Sequence, residues 1–250
     1  MKISLYLIIF LTLTIACKHD PVVKANNGFE KAYGGAMDEQ THDLVIIDGA
    51  VHLVGITYSF GNPSGDIYWV KTDLDGEKLT ENTFNTGRGA RVTAAADGTL
   101  WIAGTRPDAE GLNDWVLLQL NQNGTVLQEH NFLKDGNQTI GQIKQLANGN
   151  IAVVGTDDSA GSRNVRFSIF NTNGDLLQTK IYGDEVEEGG AEFVQTSDGV
   201  LIFGYGVQPG FESRDYLLLK LNNAYDSVWT RYYGGLDYEE PQALLETVEG

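Results

Sequence analysis

The residues with most chemical potential in this chain are carboxylates in short clusters: Asp38-Glu39, Asp184-Glu185 with Glu187-Glu188, and Asp237 with Glu239-Glu240. Paired carboxyls are the working parts of glycoside hydrolysis, one giving a proton while the other serves as base or nucleophile, roughly 5 to 9.5 Å away. Long loops lie near these clusters: TYSFGNPSGD, TRPDAEGLND, TDDSAGSRN and YGVQPGFESRD. Within them Tyr58, Phe60 and Phe211 offer flat faces for stacking on a sugar or a peptide. Arg106, Arg163 and Arg214 offer planar forks for a carboxylate. These six are the candidate ligand-binding residues. Each also has a plainer reading, as solvated loop decoration or as an Asp/Arg contact that orders a loop.

Other chemistries find less support. Asp73-Leu74-Asp75-Gly76 has the look of a calcium loop, but the first ligand of an EF-hand would then fall on Lys71, which cannot bind calcium. The corresponding turns carry Asn121/Asn123 and Asn171/Asn173, so what recurs is Asx turn geometry rather than charge. No metal is expected there. The histidines His19, His42, His52 and His130 show no ligand spacing, and no cofactor motif appears. Gly-x-Ser-x-Gly, His-Glu-x-x-His, phosphate-loop and sialidase-type Ser-x-Asp-x-Gly-x-x-Trp patterns are all missing. On this ground the expectation is a binding module and not an enzyme.

The elements that must carry these residues repeat about every fifty residues. Gly55, Gly104, Gly155 and Gly204 stand 49, 51 and 49 apart, each closing an apolar run: VHLVG, LWIAG, IAVVG and VLIFG. Asx-Gly turns precede the runs at Asp48-Gly49, Asp97-Gly98, Asn148-Gly149 and Asp198-Gly199. After each long loop comes a third run, opened by Asp66, Asp114, Asn164 or Asp215. Further turns at Asp75-Gly76, Asn123-Gly124, Asn173-Gly174 and Asn223-Ala224 lead to a strand with an aromatic end, most complete as Trp229-x-x-x-Tyr233-Gly234-Gly235.

Four short strands per unit at this period predict an all-β protein, a β-propeller of four-stranded blades. The blades fall at about 41–84, 90–132, 140–182 and 190–233, with a partial one at 242–250, where the sequence is expected to be truncated. FEKAYGG at 29–35 has no first three strands before it and reads as the outer strand that closes the last blade, within a propeller region of 29–250. In such a meander the acidic clusters and the long loops share one rim, the expected binding face.

Composition narrows the partners. The net charge of −17 repels nucleic-acid and phospholipid phosphates, so no nucleic-acid partner is expected. Residues 1–16 read as a signal peptide, with Lys2 before a thirteen-residue apolar run at 3–15 that is too short to span a bilayer. The run ends Leu-Thr-Ile-Ala-Cys at 13–17, which resembles the lipobox of bacterial lipoproteins. That resemblance implies lipidation at Cys17, with 17–28 as a tether. The only membrane contact is then the anchor, and the location is the cell envelope, most simply the outer membrane, with the leaflet open.

The succession of Asp, aromatic-apolar strand, Asx-x-Asx-Gly, Trp-x-x-x-Tyr-Gly-Gly, acidic loop and Asp-Gly hairpin is seen best at 215–250 and 29–76. It resembles the secreted and lipid-anchored propeller-repeat proteins of Bacteroidota. The second and third units lack Tyr-Gly-Gly. The resemblance implies fold and location more than activity. The function expected from sequence is therefore a non-catalytic envelope module that binds a glycan or protein ligand through its long-loop face. The alternatives are a glycan-active propeller hydrolase and a structural part of an envelope assembly.

Overall fold

The computed structural model describes residues 30–84, 87–183, 186–208, 210–245 and 247, and the fold below is that of the unit Lys31–Gly250. Its described residues form sixteen strands and no helix, in four antiparallel sheets of four. The first blade is β1 (Glu39–Ile47), β2 (Ala50–Thr57), β3 (Asp66–Asp73) and β4 (Lys78–Phe84). The second is β5 (Arg88–Ala94), β6 (Leu100–Pro107), β7 (Asn113–Leu120) and β8 (Val126–Phe132). The third is β9 (Gln138–Gln145), β10 (Ile151–Asp157), β11 (Asn164–Phe170) and β12 (Leu176–Tyr182), and the fourth β13 (Glu188–Thr196), β14 (Gly199–Val207), β15 (Arg214–Asn222) and β16 (Ser227–Tyr233). Each sheet is a simple meander in chain order. The chain is a β-propeller of four-stranded blades.

Turn chemistry sets the meander. In the first blade Ile47 pairs with Ala50 across Asp48 (φ 50°) and Gly49 (φ 75°), the left-handed pair that suits a two-residue hairpin. At the other end of the blades Asp73, Asn121, Asn171 and Asn222 each accept two backbone N–H groups at Oδ1, from the residues two and four further on. These Asx turns align β3 with β4 and its counterparts. In the fourth blade the left-handed position falls on Tyr225 (φ 59°), one residue beyond the Asn223-Ala224 pair picked out in the sequence. The Tyr225 ring packs on Phe167 at 5.5 Å, a contact that offsets part of the cost of a non-glycine residue in that conformation.

The middle strands are apolar on the faces where one blade packs on the next. Val54, Ile67 and Trp69 of the first blade pack on Val92, Ile102 and Leu118 of the second. Trp101, Trp115 and Leu117 then pack on Ile143, Ile151 and Val153, and Ala152, Val154 and Phe167 on Phe193, Ile202 and Leu219. Burial of a side chain of this size contributes about 1.5–3 kcal/mol, so these interfaces are the main source of stability.

Candidate functional site at the propeller axis

The innermost strand of every blade carries a β-bulge at the same place. Pairing skips from Thr41 to Asp43, from Arg88 to Arg91, from Ile140 to Gln142 and from Gly190 to Glu192. The periodic glycines of the sequence stand opposite. A Cβ on Gly55, Gly155 or Gly204 would lie 1.8, 1.9 or 1.9 Å from the carbonyl oxygens of Gln40, Thr139 and Gly189, so only glycine fits. A bulge bends its strand and re-aims a side chain. Here it delivers Asp43, Arg91, Gln142 and Glu192, one polar residue per blade, to a single cavity of about 510 Å³, where His42 and Tyr205 also lie.

The two carboxyls of this ring have different surroundings. Burial pushes the Asp43 carboxyl above its ordinary value, and the charge of Glu192 pushes the same way. The N–H groups of Val92 (3.0 Å to Oδ2) and Leu44 (2.8 Å to Oδ1) and the Arg91 charge oppose that rise without cancelling it. Glu192 is an ion pair: Lys144 Nζ lies 2.9 Å from its Oε1, and Gln142 Nε2 donates to its Oε2 at 3.2 Å. Burial and Arg91 lower the pKa of His42, which favours the neutral imidazole. A carboxyl raised by burial and a carboxyl in an ion pair thus line the same cavity.

The residues expected from the loops lie elsewhere. Arg163 and Arg214 come together, since both donate to Glu187 Oε1, at 2.7 and 2.5 Å, with Arg214 stacked on the Tyr205 ring at 4.5 Å. Arg106 is taken up within its own blade, by Asn131 (2.8 Å) and Glu129 (2.7 Å). Phe60 is 37% exposed and leans on Tyr68 at 5.7 Å, and Tyr58 donates its N–H to the Asp38 carbonyl. Phe211, 53% exposed, belongs to the fourth blade's loop. The six thus divide among four loops, and only the two arginines converge. The four Asx residues that open the third strands are buried fasteners: Asp66 accepts the Asn62 N–H and Asp114 the Lys134 N–H, each at 2.8 Å. Cys17, Asp184 and Glu185 lie outside the described residues.

Sequence reasoning missed the axial ring. Its signal was a polar residue inside each innermost apolar stretch, Asp43-Leu44, Arg91-Val92, Gln142-Ile143 and Glu192-Phe193, at the period already visible in the glycines.

No protein-family model matches the chain, and no curated protein resembles it in sequence. Solved structures resemble it in fold only. A thermostable family-43 glycoside hydrolase superposes with a TM-score of 0.51 at 6% identity, covering 81% of this chain and 74% of its own. A mannose phosphorylase from Leishmania mexicana has a TM-score of 0.47 at 13% identity, covering 82% and 71%. A Trypanosoma rangeli sialidase has a TM-score of 0.44 at 13% identity, covering 78% and 37%. The first of these likenesses shows the fold alone. That fold is one a glycoside hydrolase also has, so the expectation that this chain is not an enzyme does not stand. The missing short motif was no argument against catalysis. Two carboxyls drawn from blades one and four leave no contiguous signature.

Proposed function

We propose that this propeller is a glycan-active hydrolase working at its axis, with Asp43 as proton donor and Glu192 as base or nucleophile. The observation that carries the reading is the repeated bulge, which sends one polar residue from each blade into one cavity and so places two unlike carboxyls there. Asp43, disposed to hold its proton, would give it to the glycosidic oxygen as that bond breaks. Glu192, paired with Lys144, would take a proton from water or attack the anomeric carbon itself. The fold shared with a family-43 glycoside hydrolase supports this reading. A net charge of −17 favours a neutral glycan over a polyanionic one.

The sequence adds a setting. A lipid on Cys17 would hold the enzyme at the cell envelope, where extracellular glycans are met, and the intact mass of protein extracted from its membrane tests that anchor. For the activity, the full chain is offered a panel of neutral polysaccharides and the released reducing ends are counted. Turnover that disappears in Asp43→Asn supports the reading. Turnover that survives in Asp43→Asn, or none on any member of the panel, contradicts it.

A further inference from the structure

The geometry points to a fifth blade site between blades four and one, with its outer strand position held by 31–34 and its inner one by 239–245, and with room for an apolar two-stranded hairpin of the same repeat between them. Equivalent residues on successive blades make the case. Val92, Ile143 and Phe193, one residue past each bulge, are buried against the preceding blade, whereas their counterpart Leu44 is 53% exposed and its neighbour Ile46 58%. On the facing side, Val54, Ala103 and Val154 are buried against the following blade, but the matching Phe203 of blade four is only half-buried and its ring partner Tyr216 is exposed. Two apolar faces built for blade-to-blade packing therefore have no blade against them among the described residues.

The boundaries of the site are already in place. In blade three, Lys180 Nζ pairs with Asp226 at 2.5 Å and the Tyr182 hydroxyl donates to the Tyr225 carbonyl at 2.5 Å, which fastens the outer strand to the next blade's Asx turn. Lys31 and Tyr33 repeat this on blade one: Lys31 Nζ pairs with Glu77 at 2.5 Å, and the Tyr33 hydroxyl donates to the Gly76 carbonyl at 2.6 Å. So 31–33 sits where the outer strand of a blade preceding blade one belongs, yet it lies in no strand. At the other side the Glu239 N–H donates to the Arg214 carbonyl at 2.8 Å, as the Glu188 N–H does to the Arg163 carbonyl at 2.7 Å where β13 begins. Pro241 and Gln242 then reach the axial cavity, again without a strand partner. The occupant that fits must pair by backbone hydrogen bonds on both edges and be apolar on both faces. That is the chemistry of the second and third strands of this repeat.

The test mixes the full chain with its own β14–β15 hairpin, residues 199–222, fused to a soluble carrier. We expect a one-to-one complex in which amide exchange at 31–34 and 242–245 slows at least tenfold, and in which Leu44→Asp weakens binding at least tenfold. A second variant, Val126→Asp on an exposed outer strand, leaves binding unchanged. Absence of a complex would overturn the inference, as would a complex without protection at 31–34. So would a stable dimer of the chain alone that buries Leu44 and Ile46, since a second copy would then be the occupant.

Discussion

The rim and the axis of this propeller use charge in opposite ways. At the rim, charges are matched and spent: Arg163 and Arg214 share Glu187, Arg106 is held by Glu129 and Asn131, and Lys134 pairs with Asp157 at 2.7 Å. Burial alone would raise the Asp157 carboxyl, but bonds from Lys134 and Ser159 hold it below its ordinary value. At the axis, burial raises Asp43 and its carboxylate neighbour adds to the rise. The rim is arranged to fix long loops. The axis accepts a locally unfavourable arrangement of the kind that active sites keep at some expense of stability.

The largest effect that would break this contrast concerns activity. Glu192→Gln should reduce glycan hydrolysis by about a thousandfold, within the range for loss of a positioned acid or base. The triple variant Tyr58→Ala, Phe60→Ala and Phe211→Ala should leave turnover within about threefold if the rim is structural. Initial rates on the same substrate decide, and a reversed order of effects would return the site to the loops.

Next comes the device that builds the axis. Gly204→Ala would put a Cβ 1.9 Å from the Gly189 carbonyl oxygen, so the bulge that aims Glu192 must give way. Overpacking of this kind costs about 3 kcal/mol, to be read from denaturant unfolding, with activity lost even where the fold survives. Gly210→Ala offers the comparison. Its Cβ would meet nothing within 4 Å, so only the strain of φ 89° is felt there.

The two aspartates should respond oppositely to pH. Asp157, whose folded pKa is depressed below the ordinary 3.8, contributes stability above that value and loses it as pH falls through the folded pKa. Asp157→Asn should therefore cost about 3 kcal/mol at pH 7, where Lys134 and Arg166 lose their partner, and little in strong acid. Asp43 has a raised folded pKa, so the folded state holds the proton longer and stability falls as pH rises from 3.8 through that pKa. Asp43→Asn should raise Tm at pH 7, and the gain should vanish below about pH 4. Thermal melts across pH 3–8 test both signs.

The fold was legible in the sequence because its determinants are local and repeated. Asx turns at Asp73, Asn121 and Asn171 announce themselves within a few residues, and the glycine at 55, 104, 155 and 204 marks the period. The site was not, for a physical reason. The bulge fixes where the axial residue points but not what it is, so the column reads Asp43, Arg91, Gln142, Glu192 and gives no motif to recognise. Clusters such as Glu187-Glu188 drew attention by density, yet Glu187 is occupied by two arginines and Glu188 accepts the Tyr232 hydroxyl. The glycine column held the clue in a different form. In the sequence it only closes each apolar run and marks the period, whereas its role in the fold is to admit the bulge opposite.

The smallest predicted effect belongs to the rim's best-formed pair. Glu187→Gln removes two ion pairs that are about a third exposed, so unfolding free energy should change by less than about 1 kcal/mol and turnover by less than twofold.

The most direct test is to locate a bound glycan. A crystal of the Glu192→Gln variant soaked with mixed neutral oligosaccharides should show sugar in the axial cavity, with Asp43 within hydrogen-bonding distance of a glycosidic oxygen. Sugar stacked instead on Tyr58, Phe60 or Phe211, with the axis holding only solvent, would contradict the account.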